Sequence, residues 1–95
     1  MHIKYKFYGP IFANLPFSNV IEIPDGAVLL DLLQKLSARY IQLRPILFET
    51  TSTMGLQLKL KKGFSYRVNN AAIDSIYVRL NDEDAVSILQ DIIGG

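Results

Sequence analysis

Cysteine and tryptophan are absent from this 95-residue chain, His2 is its only histidine, and prolines number four. Without cysteine there can be no disulfide, no thiolate metal site and no cysteine nucleophile, so the hydrophobic core is the main source of stability. Charge of one sign is lacking too: ten Lys and Arg against nine Asp and Glu leave a net charge of +1. So weak a field gives no general attraction to nucleic acid. No apolar run approaches the length of a membrane span, and Met1 to Lys6 alternates where a signal peptide would be continuously apolar. A cytoplasmic protein with no membrane partner is the expectation. The chain also lacks a Gly-x-x-x-x-Gly-Lys-Ser/Thr loop, so no ATP or Mg²⁺ site of its own is expected.

What is present fits one soluble domain over residues 1–95, with 49% hydrophobic and 20% charged residues. Ile3, Tyr5 and Phe7 alternate with His2, Lys4 and Lys6, the period of a half-buried strand. On that pattern His2 is a solvated surface residue. Beyond Gly9-Pro10, the segment 20–23 reads as a second strand forming a loose hairpin with the first. The period then changes: Leu29, Leu32, Leu33, Leu36 and Tyr40 fall on one face of a helix that must end before Pro45. Ala27 occupies the natural cap position but has no side-chain acceptor, which leaves Asp25 as the candidate cap.

The segment 44–55 reads as irregular. Alternation returns in Leu56, Leu58 and Leu60 and again in Phe64, Tyr66 and Val68, a hairpin pattern around Lys62-Gly63. Asn69-Asn70 marks a turn, segment 76–78 reads as a strand, and 81–84 is an acidic turn before a last apolar strand over 85–89. Tyr5, Phe7, Phe12, Phe17, Phe48, Phe64, Tyr66 and Tyr77 fall mostly on inward positions. Lys59, Lys61, Lys62 and Arg67 gather around the predicted hairpin, while the last 22 residues carry five acids against Arg79. Solvated strand edges account for this asymmetry, and docking to a charged partner is its sharper alternative. Two strands, a helix, then further strands predict an α+β fold of β-grasp type, a mixed sheet of four to five strands on one main helix, with the first and last strands adjacent at its centre.

The end of the sequence is its most chemically suggestive feature. A Gly-Gly pair at one defined place has a chance probability of about 0.5%, and here it is Gly94-Gly95, preceded by Ile92 and Ile93. Residues without Cβ leave the terminal carbonyl carbon open on both faces, and the β-branched pair before them favours an extended backbone. A flexible tail over about 90–95 is therefore expected to project from the domain and to fit a narrow tunnel in a partner.

Taken in order, the alternating start from Ile3 to Phe7 with Gly9, the helix containing Asp31-Leu32-Leu33, Val68-Asn69, the stretch from Leu80 to Val86 and the terminal Gly94-Gly95 resemble the MoaD and ThiS families of ubiquitin-like sulfur carriers. The molybdopterin synthase small-subunit type is the nearest likeness. Asn81 stands where that family usually has glycine, Asp84 intrudes before the apolar run, and Gln90-Asp91-Ile92-Ile93 replaces a proline-rich approach to the glycines. The resemblance implies a carrier and not an enzyme. Its Gly95 carboxylate, with Gly94 beside it, would be adenylated by a MoeB/ThiF-like enzyme that holds ATP and Mg²⁺, then converted to a thiocarboxylate. Ile92 and Ile93 would lie against the partner, and a MoaE-like large synthase subunit would receive the sulfur for molybdenum cofactor biosynthesis. Two alternatives stay open: a protein modifier joined to lysines through Gly95, and a β-grasp interaction module whose tail is never activated.

Overall fold

A computed structural model of the chain describes residues 1–16, 18–50 and 58–91. The alternation near the N-terminus becomes strand β1 (His2–Tyr8), with Ile3, Tyr5 and Phe7 buried and the residues between them exposed. Strand β2 (Ser18–Glu22) pairs with it antiparallel, Ile3 opposite Ile21. Helix α1 (Leu29–Arg39) follows, and Leu29, Leu32, Leu33 and Leu36 are fully buried against the sheet side of the core. Next come a one-turn helix, α2 (Arg44–Leu47), and strands β3 (Phe48–Thr50), β4 (Leu58–Leu60), β5 (Phe64–Val68), β6 (Ala71–Ile73) and β7 (Ala85–Gln90). Five of the strands form one mixed sheet in the order β2-β1-β7-β5-β6, and β3 with β4 forms a separate ribbon. This is the expected β-grasp arrangement.

The last strand lies in the middle of the sheet. β7 runs parallel to β1, with Tyr5 beside Val86 and Phe7 beside Ile88, and antiparallel to β5, with Tyr66 beside Ile88. Inward residues from three strands thus share one apolar layer, which α1 covers. Aromatic rings extend that layer toward the end of β7: Phe7 to Phe12 is 5.2 Å between centroids, and Phe12 to Phe64 is 5.8 Å.

Several sequence expectations are corrected by non-local bonds. The helix is capped by neither Ala27 nor Asp25. Val28 is the cap residue, and its N–H donates to the Asp31 carboxylate at 2.9 Å, while Asp25 sits 3.5 Å from the N-terminal ammonium. Segment 76–78 is not a strand, because its carbonyls serve the helix instead. Leu29 N–H donates to Val78 O at 2.9 Å and Leu30 N–H to Ile76 O at 2.8 Å, satisfying donors that a helix start leaves orphaned. Tyr77, expected in the core, is 68% exposed on this connection. The predicted hairpin between segments 56–60 and 64–68 does not form: β5 has β7 on one edge and β6 on the other, so β4 turns back onto β3. Within the stretch expected to be irregular, 44–50 is α2 and β3, and 51–55 lies outside the described residues. Phe17 lies outside them as well.

Two tyrosines give the fold a pH signature. Tyr66 is 9% exposed, and its hydroxyl has no hydrogen-bond partner. Burial, with a smaller contribution from the Asp91 carboxylate, pushes its pKa from 10.0 to about 12. Burial and a 2.5 Å hydrogen bond with Tyr40 push Tyr5 to about 12 as well. Raised values favour the protonated phenol in the folded state, so this stabilisation is complete below pH 10.0 and is lost as pH rises toward about 12. The urea midpoint is expected to fall across that window, and less steeply in Tyr66→Phe. At neutral pH, Tyr66→Phe should match or exceed the wild type by about 1 kcal/mol, because it removes an unsatisfied hydroxyl. A loss of stability at neutral pH would show that the hydroxyl does have a partner.

Candidate functional site

The segment expected to be functional begins where β7 leaves the sheet, and both flanks of that point are secured. Gln90, the last residue of β7, pairs with Phe64 of β5, and the next N–H, of Asp91, donates to Gly63 O at 2.8 Å. Ser65 Oγ donates to the Asp91 carboxylate. Gly63 has φ 103°, a conformation open mainly to glycine, which lets the β4–β5 turn present its carbonyl there.

On the other flank, the turn after β1 closes on the Gln90 side chain. Ile11 N–H donates to Gln90 Oε1 at 3.0 Å. Gly9 makes this approach possible: its φ is 128°, and a Cβ placed on it would lie 2.5 Å from Gln90 Cβ and 2.8 Å from Oε1. Both glycines are therefore matched to the root of the tail. Of the expected tail over 90–95, Gln90 and Asp91 are held in this way, while Ile92, Ile93, Gly94 and Gly95 lie outside the described residues.

At the opposite end of β7, a polar lock sets its register. Asn69 and Asn70, both with positive φ, turn β5 into β6. Asn69 Oδ1 accepts from Ala85 N–H at 2.9 Å, and its Nδ2 donates to Asp84 Oδ1 at 2.8 Å. The other carboxylate oxygen of Asp84 accepts from Asn81 N–H at 2.8 Å. Asp84 is only 8% exposed. The sequence places Asp84 in the acidic turn; once it is buried, its carboxylate needs donors, and the structure supplies them.

The remaining candidates separate. His2, Asp82 and Glu83 are exposed, with ligand-type atoms within 4.8 Å of one another. The backbone of His2 and both acidic side chains join β1 to the acidic turn: His2 backbone N–H donates to Asp82 Oδ1 at 2.7 Å, Glu83 N–H donates to His2 O at 2.8 Å, and the Glu83 carboxylate lies 3.8 Å from the Lys4 ammonium. Lys61 donates to Pro45 O at 2.7 Å and so fastens the β3–β4 ribbon. Arg67 lies on the face of the sheet away from α1, across Ser87 from Lys6. On this face Lys4, Lys6, Val20, Asn69 and Ser87 line a shallow concavity of about 510 Å³. Among the described residues, no helix is long and apolar enough to cross a membrane.

No family model matches the chain, and no curated protein matches it in sequence. Solved structures do match in fold. SAMP1 from Haloferax volcanii aligns over 100% of both chains with a TM-score of 0.83 at 14% identity. A putative molybdopterin converting factor subunit 1 from Pyrococcus furiosus aligns over 97% of this chain and 99% of its own, with a TM-score of 0.72 at 18% identity. The molybdopterin-converting factor of Helicobacter pylori, solved as a complex of subunits 1 and 2, matches with a TM-score of 0.60 at 22% identity over 100% of both chains. Ubiquitin-like β-grasp proteins are thus the structural neighbours of this chain.

Proposed function

We propose that this protein is a cytoplasmic sulfur carrier charged at the carboxylate of Gly95. The observation behind this is the position of β7: the strand that leads to Ile92-Ile93-Gly94-Gly95 is the central strand of the sheet, gripped at its start and at its end. A rigid scaffold behind a slender end suits delivery of that end into another protein's active site. The matching folds of molybdopterin-converting factor subunits support the same function, as does the H. pylori complex, in which such a fold is solved together with a second subunit.

The chemistry would run in two steps on a partner that holds ATP and Mg²⁺. A carboxylate oxygen of Gly95 attacks the α-phosphorus of ATP, forming the acyl-phosphate bond and expelling pyrophosphate. Sulfide from a donor then attacks the acyl carbon and AMP leaves, giving a thiocarboxylate. An acceptor site, such as that of a large molybdopterin synthase subunit, then takes the sulfur. The carrier's own part is to present an unhindered carbonyl; it supplies no acid, base or metal.

A second function begins from the same adenylate: attachment of Gly95 to a lysine amine with loss of AMP. The fold match to SAMP1, a small archaeal modifier protein, favours keeping it in view. Intact-mass spectrometry of the protein purified from its source separates the two. Exchange of one oxygen for sulfur on the free protein is the result expected for a carrier. A ladder of lysine conjugates bearing the tail, with no sulfur on the free form, would replace the carrier by the modifier.

A further inference from the structure

Building on the carrier function proposed above, we infer that Gln90 is a positioning residue: its carboxamide, seated on the turn at 9–11, fixes where the chain end leaves the sheet and thereby sets the reach that the activating enzyme meets. The structure spends two specialised features on this one side chain. Gly9 gives up its Cβ at a place where one would lie 2.5 Å from Gln90 Cβ, and Ile11, the second residue of the one-turn helix Pro10–Phe12, gives its N–H to Oε1. An N–H at the start of a helix has no partner within it, so the bond satisfies a donor that would otherwise depend on water. Partners 79 residues apart in sequence are joined by it. Across the strand, Asp91 N–H on Gly63 O holds the backbone at the next residue.

Beyond Asp91, the second of these anchored positions, the sequence runs four residues, 92–95, to the carboxylate of the proposed reaction. At about 3.3–3.6 Å per residue, their greatest span is about 13–14 Å. Loss of the Gln90 anchor leaves the end of β7 held on the β5 flank alone, and a strand end with fewer contacts opens at lower cost. The effective concentration of the terminus in a partner's site falls as the free segment lengthens. The activating enzyme is then expected to show a higher KM for the carrier, with little change in kcat.

Chemistry also supplies a control. Glutamate at 90 retains an oxygen acceptor at the same distance from the backbone, whereas alanine has none and asparagine is one methylene too short. Adenylation of the full chain is followed by ATP–pyrophosphate exchange with the source organism's adenylating enzyme, alongside amide hydrogen exchange at Ile11 and thermal melts. Gln90→Ala and Gln90→Asn are expected to melt near the wild type, to exchange the Ile11 amide about tenfold faster or more, and to raise KM several-fold; Gln90→Glu should restore both. Two residues inserted between Asp91 and Ile92 should lower kcat/KM even with Gln90 intact. Wild-type KM in Gln90→Ala, or an insertion variant as good a substrate as the parent, would overturn the role. Failure of the wild-type chain itself to be adenylated would remove the carrier function and this role together, and Ile11 exchange would still report the anchor.

Discussion

Gly95→Ala should cut adenylate and thiocarboxylate formation by about 100-fold while leaving the melting temperature unchanged. In the first of the proposed steps the terminal oxygen would have to align with the α-phosphorus and the departing pyrophosphate, and in the second a sulfur nucleophile would have to approach the acyl carbon above the carboxyl plane. A methyl group beside that carbon crowds one approach and removes backbone angles that only glycine adopts. Misplacement by about 1 Å is enough to cost about two orders of magnitude in rate. Stability should not change, since among the described residues the bonds that hold β7 in the sheet run from Ala85 to Asp91 and none of them involves position 95. Single-turnover charging with saturating ATP, read by intact mass, measures the effect. Charging at the wild-type rate would show that an open carbonyl is not what the activating site requires.

For a polar residue, a large loss of stability is expected at Asp84. This carboxylate is buried and bonds Asn69 Nδ2 and Asn81 N–H, both at 2.8 Å. Asp84→Ala would leave both donors without their acceptor in a place water barely reaches, at a cost of about 2–4 kcal/mol. For a domain of this size that is a drop of about 10–25 °C in Tm. Asp84→Asn, which keeps one carbonyl acceptor, should recover part of it. The consequence reaches beyond stability, because Asn69 also bonds Ala85 N–H and so aligns β7 at its first residue. Urea and thermal unfolding decide the matter: a change under about 0.5 kcal/mol would place Asp84 among ordinary surface positions.

Features that depend on local periodicity were legible in the sequence. The alternation of Ile3, Tyr5 and Phe7 and the leucines from Leu29 to Leu36 identified β1 and α1, and the apolar content of β1 and β7 pointed to their adjacency at the sheet centre. Choices of partner were not legible. Segments 56–60 and 64–68 alternate as a hairpin would, yet β7 arrives from beyond β6 and takes the edge of β5. Residues 76–78 are apolar and β-prone, but two of their carbonyls answer the bare N-terminus of α1. Gly94 and Gly95, which composition and position single out, lie outside the described residues. Gln90 could not be singled out in the candidate site, since its partner Ile11 lies at the other end of the chain.

The parallel pairing of β7 with β1 has a mechanical consequence. A partner that grips the protein beyond Asp91 and pulls along β7 loads the ladders to β1 and β5 in shear, so that their hydrogen bonds share the force and do not unzip singly. On the function proposed above, the end offered to a partner continues a strand that resists such a pull along both of its edges.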